Sequence, residues 1–281
     1  MSVLDAILAE TDGPILLAGA GKMGGAMLAG WLEAGLDPAR VIVQDPSPSP
    51  FVDELCAKFG VSRSGQVPAP FAEPPIAIVA AVKPQVMAEV FPSLAARAKP
   101  HTLTLSIAAG RTIASFEAML PPGSAVVRAM PNTPAAIGRG ITAMVANRHT
   151  TAQQAALAEA LLAAVGAVVA VPDEGLMDAV TAVSGSGPAY VFLLVEAMAK
   201  AGIAAGLPAD VAMRLARATV AGSGALLDQS PDDAATLRRN VTSPGGTTAA
   251  ALDVLMADNG LEALMTRAID GATRRSKALS G

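Results

Sequence analysis

Cysteine, histidine and aromatic residues are scarce in this chain. Its 281 residues include one cysteine, Cys56, and two well-separated histidines, His101 and His149. A single cysteine excludes an internal disulfide framework and fits a reducing compartment. These three residues have no zinc-ligand spacing, so no metal site is expected. Aromatics make up 3% of the chain and charged residues 16%, with 20 Lys+Arg against 24 Asp+Glu and a net charge of −4. A nucleic-acid binder needs a cationic face and stacking platforms, and this chain has little material for either. No basic leader precedes Asp5, and Asp5 and Glu10 interrupt the first apolar run, so no signal peptide is read. The most apolar stretch, residues 155–171, contains Glu159 and is broken by Gly166; residues 193–207 contain Glu196 and Lys200. A helix followed by a strand explains the first better than a span of about 20 residues. The reading is a soluble cytoplasmic protein with no membrane or nucleic-acid partner, despite a mean hydropathy of +0.47.

Apolar residues, by contrast, reach 52%, which excludes a disordered chain. The length fits one large or two ordinary domains. Strand-like runs at residues 14–18, 41–43, 76–82, 103–107, 125–129, 141–146 and 167–171 alternate with helical patterns at 22–34, 51–59, 84–98 and 112–120. Near-continuous apolar strands alternating with helices imply a largely parallel sheet covered on both faces. The expected fold is an α/β Rossmann-type domain over residues 1–171. After it the β-branched runs stop. Residues 173–183, 188–205, 209–227 and 261–279 read as helices, giving an all-α second domain over 172–281. Its helices are rich in Ala, Leu and Met and poor in charge. Burial against a second copy of the chain fits this better than a self-contained bundle, which needs a wider polar side.

The first motif is Gly19, Ala20, Gly21, Lys22, Met23 and Gly24, a dinucleotide fingerprint between an apolar strand and a helix. Gly19 allows the tight turn, Gly21 admits the pyrophosphate, and Gly24 lets the helix pack on the strand. A P-loop is excluded, because Leu16 and Met23 stand where its first Gly and its Ser/Thr belong. Past the second strand, Asp45 is placed to accept from the ribose of NADH, or merely to start the turn at Pro46; Ser47 is placed to donate to a phosphate instead. Ala81, Val82, Lys83 and Pro84 close a central strand, where doubly wound sheets bind ligands. Ser106, Ile107, Ala108 and Ala109 close another, with small residues that leave room for a nicotinamide. Arg128, Pro131, Asn132 and Pro134 follow the next strand, and Asn132 is a candidate amide ligand.

Two further corners carry Gly and hydroxyl residues ahead of helices. One is Ser184, Gly185, Ser186, Gly187 and Pro188; the other is Ser243, Pro244, Gly245, Gly246, Thr247 and Thr248. Free amides at a helix start favour an anion by about 0.3–1 kcal/mol when exposed. Either corner also reads as a plain helix cap, but together they suggest a small carboxylate ligand. The missing residues narrow the reaction. Tyr190 is the lone tyrosine and Leu194 follows four residues later, so there is no Tyr-x-x-x-Lys acid. A carbonyl reductase needs an acid for the forming alkoxide. A protonated imine already carries its proton.

Taken together, these segments resemble the Δ1-pyrroline-5-carboxylate reductases over nearly the whole chain. Residues 241–252 look like the family signature, and residues 81–84 and 183–190 match as well. The resemblance implies reduction of pyrroline-5-carboxylate to L-proline, the last step of proline biosynthesis, with NADPH or NADH as donor. It also implies a homodimer through the helical domain and possible assembly into a decamer. It places residues 19–24, 81–84 and 107–109 and Asn240 at the cofactor. Ser243, Gly245, Gly246, Thr247 and Thr248 would hold the imino acid, residues 184–187 would shape the pocket, and Thr248 would reach the ring nitrogen. Many members carry a His-Pro pair upstream of the signature and an acidic residue where this chain has Arg239. Two other readings are a β-hydroxyacid-dehydrogenase-like oxidoreductase and a non-catalytic dinucleotide sensor. The first needs a lysine one turn after Gly187, where Val191 stands.

Overall fold

The computed structural model describes residues 11, 13–65 and 73–280. Asp5 and Glu10, on which the reading of the first residues rests, lie outside them. The chain forms two compact units: one runs to Gly185 and includes the last residues from Thr273, and the other is Ser186–Ala272.

The first unit is built on strands β1 (Ile15–Ala18), β2 (Val41–Gln44), β3 (Ser62–Ser64), β4 (Ala77–Ala80), β5 (Leu103–Ser106), β6 (Ala125–Met130), β7 (Gly140–Ala146) and β8 (Gly166–Ala170). They form one sheet in the order β3-β2-β1-β4-β5-β6-β7-β8. The order reverses at β1, which pairs in parallel with β2 on one side and β4 on the other. Parallel pairing holds throughout except between β6 and β7, which are antiparallel. Their connection is a short 3₁₀ turn, Thr133–Ile137, closed by Gly138 at φ 68°. A parallel return needs a crossover of about a dozen residues or more. The sheet is thus largely parallel, as its apolar strands imply. Strand β3 was not anticipated, because Ser62, Arg63 and Ser64 carry no apolar signal.

Side chains alternate across the sheet. Ile15, Leu17, Val41 and Val43 face helices α1 (Lys22–Glu33), α2 (Pro50–Phe59) and, further along the chain, α5 (Ala152–Ala163). Leu16, Ala18, Ile78 and Ala80 face α3 (Met87–Ala95) and α4 (Ile113–Glu117). Each fully buried Leu, Ile or Val contributes roughly 1.5–3 kcal/mol. Ser49 caps α2 with Pro50 at its first position, and Gly60 at φ 73° ends it. Pro92 sits inside α3, and residues 84–86 form a 3₁₀ turn rather than part of that helix.

The segment expected as one helix over 173–183 is three pieces. A 3₁₀ turn (Glu174–Leu176) leads into a short α6 (Met177–Val180) and then a π-helical turn (Thr181–Gly185). Beyond it lie α7 (Gly187–Ala204), α8 (Ala209–Gln229), α9 (Ala234–Asn240), α10 (Thr247–Leu255) and α11 (Leu261–Ser280). Gly202 lets α7 approach Ala212 of α8. The described apolar residues buried in this unit are Ala199, Ala212 and Ala216, whereas Phe192, Leu193 and Leu226 are exposed. By length and composition alone, the run Glu174–Ala204 could cross a membrane. Its 3₁₀, α and π pieces, with Asp178, Glu196 and Lys200 among them, make a poor span.

Trp31 is fully buried, and its indole Nε1 donates to the Leu161 carbonyl at 2.7 Å, tying α1 to α5. Trp31→Phe should cost about 1–3 kcal/mol through an unpaired carbonyl and a small cavity. Urea unfolding followed by far-ultraviolet dichroism will measure the loss.

Candidate active site

The C-terminal ends of β1, β2, β4 and β5 define one rim of the first unit. Gly19 donates to Gln44 O, Ala81 to Ala18 O and Ile107 to Ala80 O, at 2.8–3.2 Å. These bonds fix the fingerprint loop beside residues 81–84 and 107–109, so the structure brings those cofactor candidates together. Gly19 has φ +88°, and a Cβ there would stand 2.8–2.9 Å from the backbone of Ala81 and Val82. A Cβ on Gly24 would overlap the Gly19 carbonyl and press on Ala81. Gly21 has open space where its Cβ would be. It is the N-cap of α1, at φ −66°, with no side chain bonded to the first-turn amides.

This is the shape a dinucleotide pyrophosphate requires: a tight turn, a close helix, a bare backbone and unspent amides at a positive helix end. The residues present therefore fit NAD(P)H. Lys22 and Lys83 are exposed on the same rim, while Met23 is half-buried against the core. Arg111, which the sequence reading did not single out, donates to Pro84 O at 2.7 Å and so joins the loops after β4 and β5. Ser106 Oγ accepts from Ala108 N at 3.2 Å.

Asp45 has two partners. Its Oδ2 accepts from Ala20 N at 2.7 Å and its Oδ1 from Ser47 N at 2.8 Å. It starts the turn, as one reading held, and it also grips the fingerprint loop. Beside Pro46 opens a cavity of about 700 Å³, lined also by Gln44, Glu89 and Arg97. Gln44 is buried, and its Oε1 has no hydrogen-bond partner among the described residues.

The corner at Ser184, Gly185, Ser186 and Gly187 is not the open helix start the sequence suggests. The π-turn runs into α7 and Ser186 is itself helical, with φ −88° and ψ −21°. Asn132 Oδ1 accepts from Ile141 N at 3.0 Å, and its Nδ2 donates to Ser184 Oγ at 3.4 Å. Asn132 thus holds a serine of this corner. Nearby, the buried Arg128 pairs with Glu174 at 2.8 Å, and the same Glu174 oxygen accepts from Ile113 N. Sequence spacing carries no signal for this cluster.

The other corner matches its expected form. Gly245 has φ +66°, Gly246 N donates to Ser243 O at 3.0 Å, and Gly246 is the N-cap of α10 with no side-chain cap. The amides and hydroxyls of Thr247 and Thr248 therefore open the helix. Asn240 is the exposed last residue of α9. Cys56 takes no part: it is buried, and burial pushes its thiol up.

A doubly wound sheet with a fingerprint loop, joined in sequence to an apolar helical unit, defines a nicotinamide-dependent oxidoreductase. Residues 15–110 match the family described as NADP oxidoreductase coenzyme F420-dependent, and residues 174–279 match Pyrroline-5-carboxylate reductase dimerisation. The pyrroline-5-carboxylate reductase of Pseudomonas aeruginosa is 41% identical over 95% of this chain and 96% of its own. That of Mycobacterium tuberculosis is 41% identical over 94% and 96%. The solved reductase of Coxiella burnetii superposes with a TM-score of 0.89 at 35% identity, over 96% of this chain and all of that one. A Plasmodium falciparum pyrroline carboxylate reductase with NADP bound gives 0.78 at 26%, over 96% and 99%. This chain belongs to the pyrroline-5-carboxylate reductase family.

The glycines separate two effects. Gly21→Ala should leave stability within about 0.5 kcal/mol, since its backbone suits alanine and no atom is near. It should nevertheless weaken NAD(P)H binding about tenfold or more. Gly24→Ala should weaken binding and also lower stability by about 1–3 kcal/mol through backbone overlap. Calorimetric titration and urea unfolding of both variants will check the contrast.

Proposed function

We propose that this protein reduces Δ1-pyrroline-5-carboxylate to L-proline with NAD(P)H, closing proline biosynthesis. The observation that carries the reading is a cofactor rim with a bare Gly21 in a chain that also carries an uncapped Ser243–Thr248 corner, within a family of that activity. Bound NAD(P)H supplies the hydride. The chain's part is to bind and orient the imine. The amides and hydroxyls of Ser243, Gly245, Gly246, Thr247 and Thr248 hold the carboxylate and ring nitrogen, and Thr248 donates to that nitrogen. Ser184, Gly185, Ser186 and Gly187 also serve the substrate. Asn240 serves the cofactor, with residues 19–24, 81–84 and 107–109 and with Asp45 and Ser47. No protein acid is required, because a protonated imine is neutralised as it is reduced. Fixed geometry next to the donor supplies most of the rate.

In this reading residues 1–171 bind the dinucleotide, and residues 172–281 bind the imino acid and dimerise. The protein works in the cytoplasm. A dimer through the helical unit supplies the cover that Phe192, Leu193 and Leu226 lack in a single chain, and a decamer built from such dimers is a further step of the same assembly.

Thr248→Ala should lower kcat/KM about tenfold, equivalent to about 1.4 kcal/mol of transition-state contact. The assay is loss of reduced-nicotinamide absorbance with pyrroline-5-carboxylate. Unchanged kinetics would remove Thr248 from the site, and no turnover by the wild type with either nicotinamide would leave a cofactor sensor. Light scattering should give a dimer mass or a multiple of it, and Phe192→Glu with Leu193→Glu should shift the protein to monomer. A variant that keeps its mass would place the interface elsewhere.

A further inference from the structure

We propose that Asp45 makes this chain prefer NADH to NADPH. The inference deepens the cofactor reading above and rests on it. The Asp45 carboxylate lies at the end of β2, beside the loop that receives the pyrophosphate, which is where a doubly wound sheet meets the adenosine ribose. What the structure adds is that this carboxylate is held from two sides. Oδ2 takes the Ala20 amide of the fingerprint loop and Oδ1 takes the Ser47 amide of the following turn.

Two consequences follow. A carboxylate has about four lone-pair sites. Two are spent on the amides, and the others remain to accept from ribose hydroxyls. Nor does the group have an easy way out. Turning it aside to admit a 2′-phosphate strips the acceptor from Ala20, a fully buried residue, and an unmade buried hydrogen bond is costly. A 2′-phosphate therefore meets a fixed negative group.

The two arginines near the turn after β2 do not offset it well. Arg63, on the adjacent strand β3, is bonded to Asp53. Arg97 lines the cavity by Gln44 and Pro46, but Glu89 shares that lining. Ser47 gives its backbone amide to Asp45, and its neutral hydroxyl brings no charge to offset a 2′-phosphate.

The test is calorimetric titration of the full chain with NADH and, separately, with NADPH. The wild type should bind NADH about tenfold or more tightly than NADPH. Asp45→Asn and Asp45→Ser should shrink that ratio about fivefold or more by gaining NADPH affinity. Loosening of the loop weakens both cofactors alike and cancels in the ratio. The wild-type ratio needs no variant, so a folding failure of either substitution leaves the proposal testable. Equal or tighter binding of NADPH by the wild type overturns it, including a preference that Arg97→Ala abolishes. So does an unchanged ratio in both variants. Failure to bind either nucleotide would strike the cofactor reading itself, while steady-state turnover with pyrroline-5-carboxylate tests the reaction separately.

Discussion

The close approach of α1 to the end of β1 is the constraint on which the rest of the structure depends. It exists because Gly24 has no Cβ to strike the Gly19 carbonyl, and because Ala81 opposite is small. With the helix start pressed onto the strand end, its unspent amides face the rim that β2, β4 and β5 complete. Among the polar ties that hold that rim are Asp45 to Ala20, Gly19 to Gln44, and Arg111 to Pro84. Each joins segments that are distant in sequence. The anion-binding end of α1 is thus held in place by bonds within the chain itself.

The parts legible in the sequence are those whose cause is local. Apolar runs of three to seven residues gave the main strands, because a sheet buried on both faces admits little else. Ser49 with Pro50 and Gly60 bounded α2 through cap chemistry. The fingerprint glycines were legible because each answers to a single steric demand. What escaped has non-local causes. The π-turn at Thr181–Gly185 follows no residue pattern, and its Gly185 is crowded by Met130 from β6. The Arg128–Glu174–Ile113 cluster spans distant segments. Helix α9 was readable in principle. Asp233 accepts from Thr236 N as its N-cap, and that bond holds the carboxyl below its usual range, but the helix is short and lacks an apolar stripe.

The double role of Asp45 shows how a sequence can leave two readings that the structure does not choose between. A turn-starting aspartate bonds the amide two residues on, and Asp45 does so through Oδ1. A ribose-facing acid needs a fixed place beside the fingerprint, and Oδ2 provides it by holding Ala20. One carboxylate makes both bonds, one through each oxygen. A local turn signal and a long-range site signal were one side chain seen from two distances.

The two units differ in how they are stabilised. The first encloses two apolar layers with large side chains such as Trp31, Phe91 and Phe116 at zero exposure. The described buried apolar side chains of the second are alanines, so its large side chains find no interior of their own. Such a unit gains stability when those faces are covered. The Ser243–Thr248 corner belongs to this unit, and it carries no titratable group. On the proposed reading, its amides and hydroxyls orient a charged imine but cannot supply a proton on demand. It suits a substrate that arrives protonated, and its precision depends on how firmly α10 is held.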